Sequence, residues 1–351
     1  MTINEIFLEA TAKKASDVHL VTGLLAFFRI DGELKKQDKW PAFERDAILS
    51  LIKSMLGEEK KREYFAKKEL DLSYQIENSV RFRVNLFWEK GNPVLAARII
   101  PAKIPTMEDV DMPKAAYKLV KLNQGLIIVT GPTGCGKSTT LAAMINYINE
   151  NKAHHIITLE DPIEFVFTPK KSIIVQRELG RDMVSFGAAL KHIVRQDPNI
   201  IMVGEMRDLE TISTALTAAE TGHLVLATLH TNNAAQTIDR IIDSFPAEAK
   251  NQVRAQLAAT LLGVVSERLI PRVGGGRIPA IELMIANSAV RNLIREGKIY
   301  QIDLVIETSM DQGMMSLNRY LSELVHKEQI SVENAELYSL NPSDLKMLLG
   351  K

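Results

Sequence analysis

The chain of 351 residues contains one cysteine, Cys135, and no excess of charge of either sign. A single thiol excludes an intrachain disulfide and a zinc site built from several cysteines. Lysine plus arginine and aspartate plus glutamate are equal, at 43 each. This balance gives no support for binding to nucleic acid or to an acidic membrane surface. With 46% apolar and 25% charged residues, the composition is that of a globular protein.

Long apolar runs are also missing from the sequence. None approaches the roughly 18–20 residues that a membrane-spanning helix needs. The first residues, Met1–Glu5, lack the basic start and the apolar stretch of a signal peptide. We therefore expect a soluble cytoplasmic protein, whose length accommodates two domains of ordinary size.

What the sequence does contain is a phosphate-binding motif at residues 131–138, which read GPTGCGKS and match G-x-x-x-x-G-K-[ST]. Its glycines allow turns that point successive backbone N–H groups at phosphate oxygens, at the N-terminus of a helix. Lys137 supplies a cation for the β- and γ-phosphates, and the Ser138 hydroxyl is placed to ligate Mg²⁺. The predicted nucleotide-binding residues of this segment are Gly131, Pro132, Thr133, Gly134, Cys135, Gly136, Lys137, Ser138 and Thr139.

The flanks of the motif have the character that a phosphate loop requires. Residues 126–129 are apolar and β-branched, as in a buried parallel strand, and residues 139–145 can continue as a helix. Cys135 leaves two interpretations open. Helix-end amides can lower the pKa of its thiol and make it a redox switch, whereas a small side chain tolerated in a variable loop position is the interpretation that we favour.

Residues 1–100 alternate helical and strand-like patterns, which predicts a small α+β domain. We expect helices at 3–15 and 46–56, strands at 18–21, 26–30, 70–76, 80–88 and 93–100, and turns at Asp31–Gly32, Asn78–Ser79 and Gly91–Asn92. Residues 101–114 hold three prolines. Because proline removes backbone donors and disfavours helix, this segment is predicted to be an extended linker.

Apolar strands alternate with helical segments over residues 115–286, which is typical of a parallel sheet with helices on both faces. The strand candidates are 126–130, 156–160, 172–176, 200–204 and 224–228. Residues 287–351 show helical patterns only. The predicted fold class is α/β, with an α-helical C-terminal tail.

Two predicted strands end in carboxylates. Glu205 follows the apolar run 200–203, where an acid contacts Mg²⁺ or orients the attacking water in phosphate-loop enzymes. Glu160, Asp161 and Glu164 follow the strand at 156–160 and would repel one another unless a cation lies near. Mg²⁺ or an incoming arginine would relieve that repulsion, and a solvated acidic turn is the alternative.

Histidines flank the apolar run 224–229. His230, at its carboxyl end, suits a hydrogen bond to the γ-phosphate, whereas His223 either contacts the nucleotide or orients neighbouring groups.

Arginines alternate with apolar residues in the strand at 80–85, which places Arg81 and Arg83 on one face of the sheet, and Arg98 follows in a later strand. By composition alone, a charged sheet exterior is favoured. The functional alternative is a set of arginines delivered to a nucleotide, on a neighbouring subunit.

Four segments together resemble a known superfamily. Residues 131–138, 157–165, 204–208 and 222–231 resemble the Walker A motif, Asp box, Walker B motif and His box of the secretion ATPases, which drive type II and type IV secretion and type IV pili. Segments 15–20, 81–85, 216–223, 238–243 and 289–296 extend the resemblance over nearly the whole chain, and they are most similar to its retraction branch, the ATPases of twitching motility.

The resemblance implies a homohexameric ring that hydrolyses ATP with Mg²⁺. A PAS-like N-terminal domain packs on the RecA-like ATPase core of the next subunit, and the nucleotide lies between them. Positions matching Arg81, Arg83 and Arg98 then supply arginines to ATP. Glu160 and Glu164 become catalytic acids of the Asp box, Glu205 the acid that positions water, and His223 and Arg240 join the nucleotide-binding set.

The implied partner is a PilC-like pilus platform protein of the inner membrane, which would place the motor at the cytoplasmic face of that membrane, together with other pilus motor ATPases in some systems. Assembly and type II secretion ATPases usually carry an extra N-terminal domain and a tetracysteine zinc motif, so the start of this chain and its single cysteine favour retraction. Gln196 departs from many retraction ATPases and is common in the assembly branch. An accessory retraction motor, an assembly or secretion ATPase, and a regulatory nucleotide-binding module are the alternatives.

Overall fold

The computed structural model describes residues 1–30, 32–76, 80–100 and 104–350. The predicted turn at Asp31, the turn at Asn78–Ser79 and the first three residues of the predicted linker lie outside the described residues. The chain divides into two compact units: Met1–Lys103 with Pro162–Val166, and Ile104–Asp161 with Phe167–Lys351. The sequence analysis placed domain limits at residues 100, 114 and 286. This division into two units does not test those limits, which stay predictions.

The N-terminal unit is built on a six-stranded sheet with the strand order β3-β2-β1-β6-β5-β4, in which every neighbouring pair is antiparallel. Its helices are α1 (Ile3–Ala12), α2 (Arg45–Met55) and α3 (Glu58–Lys67), and its strands are β1 (Asp17–Val21), β2 (Ala26–Ile30), β3 (Glu33–Gln37), β4 (Leu70–Gln75), β5 (Arg81–Glu89) and β6 (Asn92–Ile100). The strands and helices that were predicted for this region are confirmed. Helix α3 and strand β3 are also present, and the sequence analysis did not predict them.

The period of two along β5 separates the two faces of this sheet. Phe82 and Val84 are fully buried, and Phe82 stacks on Phe7 of α1 with ring centroids 4.1 Å apart. Arg81 and Arg83 alternate with them and therefore lie on the other face. The prediction that these two arginines share one face is confirmed.

The C-terminal unit contains a seven-stranded sheet with the strand order β13-β12-β7-β11-β10-β8-β9. Its strands are β7 (Gly125–Thr130), β8 (His155–Glu160), β9 (Ile173–Glu178), β10 (Ile200–Val203), β11 (Leu224–Leu229), β12 (Leu261–Pro271) and β13 (Arg277–Ile285). Strands β7 to β11 pair in parallel, as the sequence predicts. Every residue of β7, β10 and β11 is buried, as expected for strands covered on both faces.

One hairpin in this sheet was not predicted. Strand β12 pairs in parallel with β7 and in antiparallel with β13, so the hairpin extends the sheet beyond the strand that carries the phosphate loop. The register aligns Ser266 of β12 with Thr130 of β7 and with Glu282 of β13. Two acidic residues, Glu267 and Glu282, thereby enter the interior of the unit.

Helices complete the C-terminal unit. They are α4 (Ala116–Leu119), α5 (Lys137–Asn151), α6 (Phe186–Ile193), α7 (Leu209–Glu220), α8 (Ala234–Asp243), α9 (Lys250–Thr260), α10 (Ser288–Glu296), α11 (Ile302–Thr308), α12 (Leu317–His326), α13 (Val332–Tyr338) and α14 (Pro342–Leu348). The helical end of the chain and the α/β fold class are therefore confirmed. Within the described ranges, no helix is both long enough and apolar enough to cross a bilayer.

Candidate active site

The phosphate loop starts where the buried strand β7 ends. Thr130, its last residue, aligns with Leu229 of β11. The Thr130 hydroxyl donates to the carbonyl oxygen of Thr231 at 2.9 Å, and the backbone N–H of Thr231 donates back to it at 3.0 Å. These bonds tie the start of the phosphate loop to the segment that carries His230.

Glycine is required at the first position of the loop. Gly131 has a φ of +148°, and a Cβ there would lie 2.3 Å from the Glu267 carbonyl oxygen and 2.6 Å from the Cys135 sulfur. Any larger residue would have to displace backbone. Gly136, with a φ of +111°, precedes the first residue of α5 and turns the chain into that helix.

The N-terminus of α5 fits an anion. The first N–H groups of a helix have no partner within it, and among the described residues no side chain caps this end of α5. By contrast, Asp208 caps α7 and Asn233 caps α8. Phosphate oxygens are natural acceptors for such N–H groups, and the helix dipole favours their charge. The exposed residues Pro132, Thr133, Gly134 and Ser138 leave this end open to a ligand.

The Lys137 side chain is buried, with 8% of its surface exposed, and folds back over the loop. Its Nζ donates to the carbonyl oxygens of Gly131 at 2.9 Å and of Pro132 at 3.1 Å. The same nitrogen lies 3.3 Å from Nδ1 of His230. An ammonium has only donors, so Nδ1 is the acceptor in this contact.

This contact fixes the arrangement of His230 and Glu205. With Nδ1 accepting from Lys137, the ring proton belongs on Nε2, which lies 3.2 Å from Oε1 of Glu205. The other oxygen, Oε2, accepts from Nε of Arg207 at 2.6 Å. This hydrogen bond raises the pKa of Arg207. The structure thus brings three predicted site residues into one hydrogen-bonded row: Lys137 at the start of α5, and Glu205 and His230 after the ends of β10 and β11.

Glu160 and Glu164 are placed in different units. Glu160 ends β8 and is buried, and its Oε1 accepts from the Thr158 hydroxyl at 2.6 Å and from Nε2 of Gln176 at 2.9 Å. Glu164 belongs to the segment Pro162–Val166, which groups with the N-terminal unit. Two neutral donors therefore contact the Glu160 carboxylate, and the catalytic roles of both acids stay predictions.

Two further residues predicted to bind the nucleotide, His223 and Arg240, belong to the C-terminal unit. His223 precedes β11, whose first residue aligns with Gly125 at the start of β7, so it lies at the end of the sheet opposite to the loop. Its Nδ1 is 3.0 Å from the carbonyl oxygen of Ala218 at the end of α7. This contact agrees with the alternative of orienting neighbouring groups, and the assignment of His223 to the nucleotide stays a prediction. Arg240 is exposed on the last turn of α8.

The three predicted arginines belong to the N-terminal unit. Arg83 and Arg98 are directly opposite each other on β5 and β6. Arg98 also aligns with Asp17 of β1, and its Nε donates to the carboxylate of that residue at 2.9 Å. The contact of the three arginines with a nucleotide stays a prediction.

Burial decides between the two interpretations of Cys135. Only 4% of its surface is exposed, and burial raises the pKa of its thiol to about 11, with the nearby Glu267 carboxylate acting in the same direction. The backbone hydrogen bonds and Lys137 lower the pKa by less. The thiolate that oxidation requires is therefore disfavoured, and a small buried side chain is the supported interpretation.

Sequence reasoning missed the two buried carboxyls of the hairpin. Burial raises the pKa of Glu267 and of Glu282 to about 7 each. Their signal in the sequence is an acid inside an otherwise apolar run, in LLGVVSERLI and in IPAIELMI. A buried acid of this kind needs a local partner and so points to a specific structural role.

Comparison with known proteins gives a consistent result. The family model described as "Type II/IV secretion system protein" matches residues 1–276. The chain is 47% identical over 335 residues to the type IV pilus retraction ATPase PilT of Pseudomonas aeruginosa, covering 95% of this chain and 97% of that protein. It is 45% identical to a twitching motility protein of Neisseria gonorrhoeae, with 90% and 85% covered.

The structure is also similar to a solved one. The crystal structure of the pilus retraction motor PilT with bound ADP matches with a TM-score of 0.92 at 45% identity, over 99% of both chains. That protein therefore binds a nucleotide on the same fold.

Proposed function

The chain belongs to the type II/IV secretion system protein family and is an ATPase, and from this premise we propose that it is the Mg²⁺-dependent motor that powers type IV pilus retraction in twitching motility. The printed functions of its relatives in Pseudomonas and Neisseria support this proposal. The observation that carries the ATPase part is the row formed by Lys137, His230 and Glu205.

The residues of the phosphate loop would hold the nucleotide. The N–H groups at the start of α5 and the Lys137 ammonium receive the phosphates. In the part of the chain that the structure describes, no three or more His, Cys, Asp or Glu residues form a metal cluster. Mg²⁺ would instead be held by the Ser138 hydroxyl, by Glu205 and by phosphate oxygens, where it supplies charge neutralisation.

Glu205 is the residue that positions water for attack in this proposal. Arg207 and His230 each hold one of its oxygens, so the carboxylate has a fixed orientation towards the ends of the neighbouring strands. A preorganised acceptor of this kind contributes to catalysis because no reorganisation is needed when the water reacts. His230 contacts both Lys137 and Glu205 and thereby connects the phosphate-binding residues to the acid.

The finer parts of the proposal concern the assembly. Arginines Arg81, Arg83 and Arg98 would reach the nucleotide of a neighbouring subunit in a homohexameric ring, where a positive charge stabilises the charge of the transferring phosphoryl group. Glu160 and Glu164 would act from the Asp box. The ring would act on a PilC-like platform protein at the cytoplasmic face of the inner membrane.

Replacing Glu205 by glutamine tests the enzyme. The variant keeps the shape and the hydrogen bond from Arg207, so it should bind ADP as the wild type does, while steady-state phosphate release falls by at least about 100-fold. Glu248→Gln, an exposed acid on a short turn of the same unit, is the matched control and should leave turnover unchanged. Turnover of E205Q at the wild-type rate would remove Glu205 from the mechanism.

Deletion of the gene tests the biological part. If the motor drives retraction, cells without it should carry many static pili and lose twitching, and the wild-type gene should restore movement where the gene for E205Q does not. Cells without any pili would instead identify an assembly motor. Retained twitching with a normal number of pili would exclude both roles.

A further inference from the structure

Glu267 lies directly behind the phosphate loop. It belongs to β12, and 2% of its surface is exposed. Its carbonyl oxygen is the atom that leaves no room for a Cβ at Gly131, so the first turn of the loop packs on the Glu267 backbone. One residue of the hairpin therefore supports the loop at its start.

The carboxyl of the same residue contacts the rest of the loop. Oε2 accepts a hydrogen bond of 2.7 Å from the Thr140 hydroxyl on the first turn of α5, and Oε1 lies 3.9 Å from the sulfur of Cys135. A Cβ at Gly136 would lie 3.4 Å from Oε1, in ordinary van der Waals contact. The side chain thus spans the loop from its middle to the helix that follows.

Global stability does not explain a carboxyl at this place. Burial penalises its charged form and raises its pKa to about 7, because the opposing effects of Thr140, Lys137 and Cys135 are smaller than the effect of burial. An apolar side chain of similar volume would avoid this desolvation cost. The benefit must therefore be local, in the conformation that the carboxyl imposes on the loop and on α5.

A direct chemical role is excluded by the same contacts. The side chain is buried and contacts Thr140 and Cys135, whereas Thr133 and Gly134 of the loop are exposed to a ligand. It can therefore act on a ligand only through the loop.

We propose that Glu267 is a positioning residue for the phosphate loop: its hydrogen bond from Thr140 and its backbone packing against Gly131 hold the loop in the conformation that receives phosphate. This inference rests on the proposed nucleotide site. It predicts that a loss of the hydrogen bond weakens nucleotide binding more than it lowers the stability of the chain, because the loop is a local segment.

Thr140→Val and Thr140→Ser form the matched pair that tests the proposal. Valine has the shape of threonine without the hydroxyl, whereas serine keeps the donor. We expect the dissociation constant for ADP, measured by titration calorimetry on the full chain, to rise about tenfold in T140V and to stay within about twofold in T140S. Equal affinities of the two variants for ADP would overturn the proposal.

Glu267→Gln and Glu267→Ala give a second comparison. Glutamine keeps an acceptor for the Thr140 hydroxyl, so E267Q should bind ADP within about twofold of the wild type. E267A should bind about tenfold more weakly or worse, while its melting temperature without nucleotide follows that of T140V. Equal weakening in E267Q and E267A would contradict the role of the hydrogen bond.

The outcomes separate this inference from the proposed function. Lys137→Ala is expected to abolish ADP binding, and a wild-type chain that binds no more ADP than K137A would overturn the nucleotide site itself. If E267A does not fold, the comparison of T140V with T140S in their affinity for ADP still tests the proposal. A melting temperature that falls in T140V with no change in ADP affinity would identify a purely structural contact and would overturn the positioning role.

Discussion

Replacement of Glu282 by glutamine is expected to change how the stability of the C-terminal unit depends on pH. Glu282 lies on β13 with 6% of its surface exposed. Its Oε1 accepts from the N–H of Ala234, at the start of α8, at 2.8 Å and from the Ser266 hydroxyl at 3.0 Å. These bonds lower its pKa by less than burial raises it, and the result is a pKa of about 7.

The magnitude follows from that pKa. The rise from an ordinary value of 4.5 to about 7, at about 1.4 kcal/mol per pKa unit, corresponds to about 3 kcal/mol. Between these values the folded carboxyl keeps a proton that the unfolded chain has lost. The contribution of Glu282 to stability is therefore largest below about pH 4.5, falls as the pH rises to about 7, and is constant above that value. Glutamine does not titrate, so the variant lacks this dependence.

Urea unfolding of both proteins from about pH 5 to about pH 8 measures the effect. The two tryptophans, Trp40 and Trp88, belong to the N-terminal unit, so their fluorescence is an internal control that the substitution should leave unchanged. Far-ultraviolet circular dichroism follows the helices of the chain, and α4 to α14 of them belong to the C-terminal unit. Over this range the wild type should lose roughly 2–3 kcal/mol more stability than E282Q. A difference between the two proteins that does not vary with pH would refute the assignment of a raised pKa to this carboxyl.

Two further predictions concern the same unit. Cys135 should resist alkylation by iodoacetamide at neutral pH in the folded chain and react on unfolding in urea, because burial disfavours its thiolate; rapid labelling of the folded protein, read by mass spectrometry, would be inconsistent with that burial. Asp208→Ala should lower the free energy of unfolding by about 1 kcal/mol, since the Asp208 carboxylate caps α7 through the N–H of Thr211 at 2.8 Å. Asp208→Asn, which keeps an acceptor, is its control, and equal losses in the two variants would argue against the cap.

The parallel strands could be predicted because their sequences carry the information locally. Residues 126–129, 200–203 and 224–227 are apolar without interruption, which is the pattern of strands buried on both faces. In the N-terminal unit, the alternation around Phe82 equally predicts one buried and one exposed face. The phosphate loop was identifiable for a different reason, since its glycines and Lys137 are required by the conformation and charge of the site.

Helix α3 was missed because its sequence lacks an apolar stripe at helical spacing. Its sequence EEKKREYFAK buries only Tyr64 among its side chains, so hydrophobic periodicity is weak. Ion pairs one turn apart support it instead: Lys61 lies 2.7 Å from Glu58, and Lys67 lies 2.8 Å from Glu63. Each such pair contributes only a few tenths of a kcal/mol in general, and patterns of this size are difficult to detect in a sequence.

The hairpin of β12 and β13 was missed for the opposite reason. Its strands are buried, but Ser266, Glu267 and Glu282 interrupt their apolar runs. Prediction from hydrophobic periodicity assigns such polar residues to the exposed surface. Only the tertiary partners, Thr140 for Glu267 and the start of α8 for Glu282, make these acids acceptable in the interior.

The hydrogen bonds of Lys137 connect the phosphate loop to Glu205 through His230. An ammonium has three donors, and in this structure Gly131, Pro132 and His230 accept from them. A phosphate oxygen that accepts from Nζ must therefore displace one of these partners. The contact with His230 is the longest, at 3.3 Å, and so it is the one that we expect to yield first. Nδ1 of His230 would then need a new partner, and its ring could turn only by changing its contact with Glu205. We therefore expect occupation of the phosphate site to change the orientation of Glu205, the acid that we propose positions water.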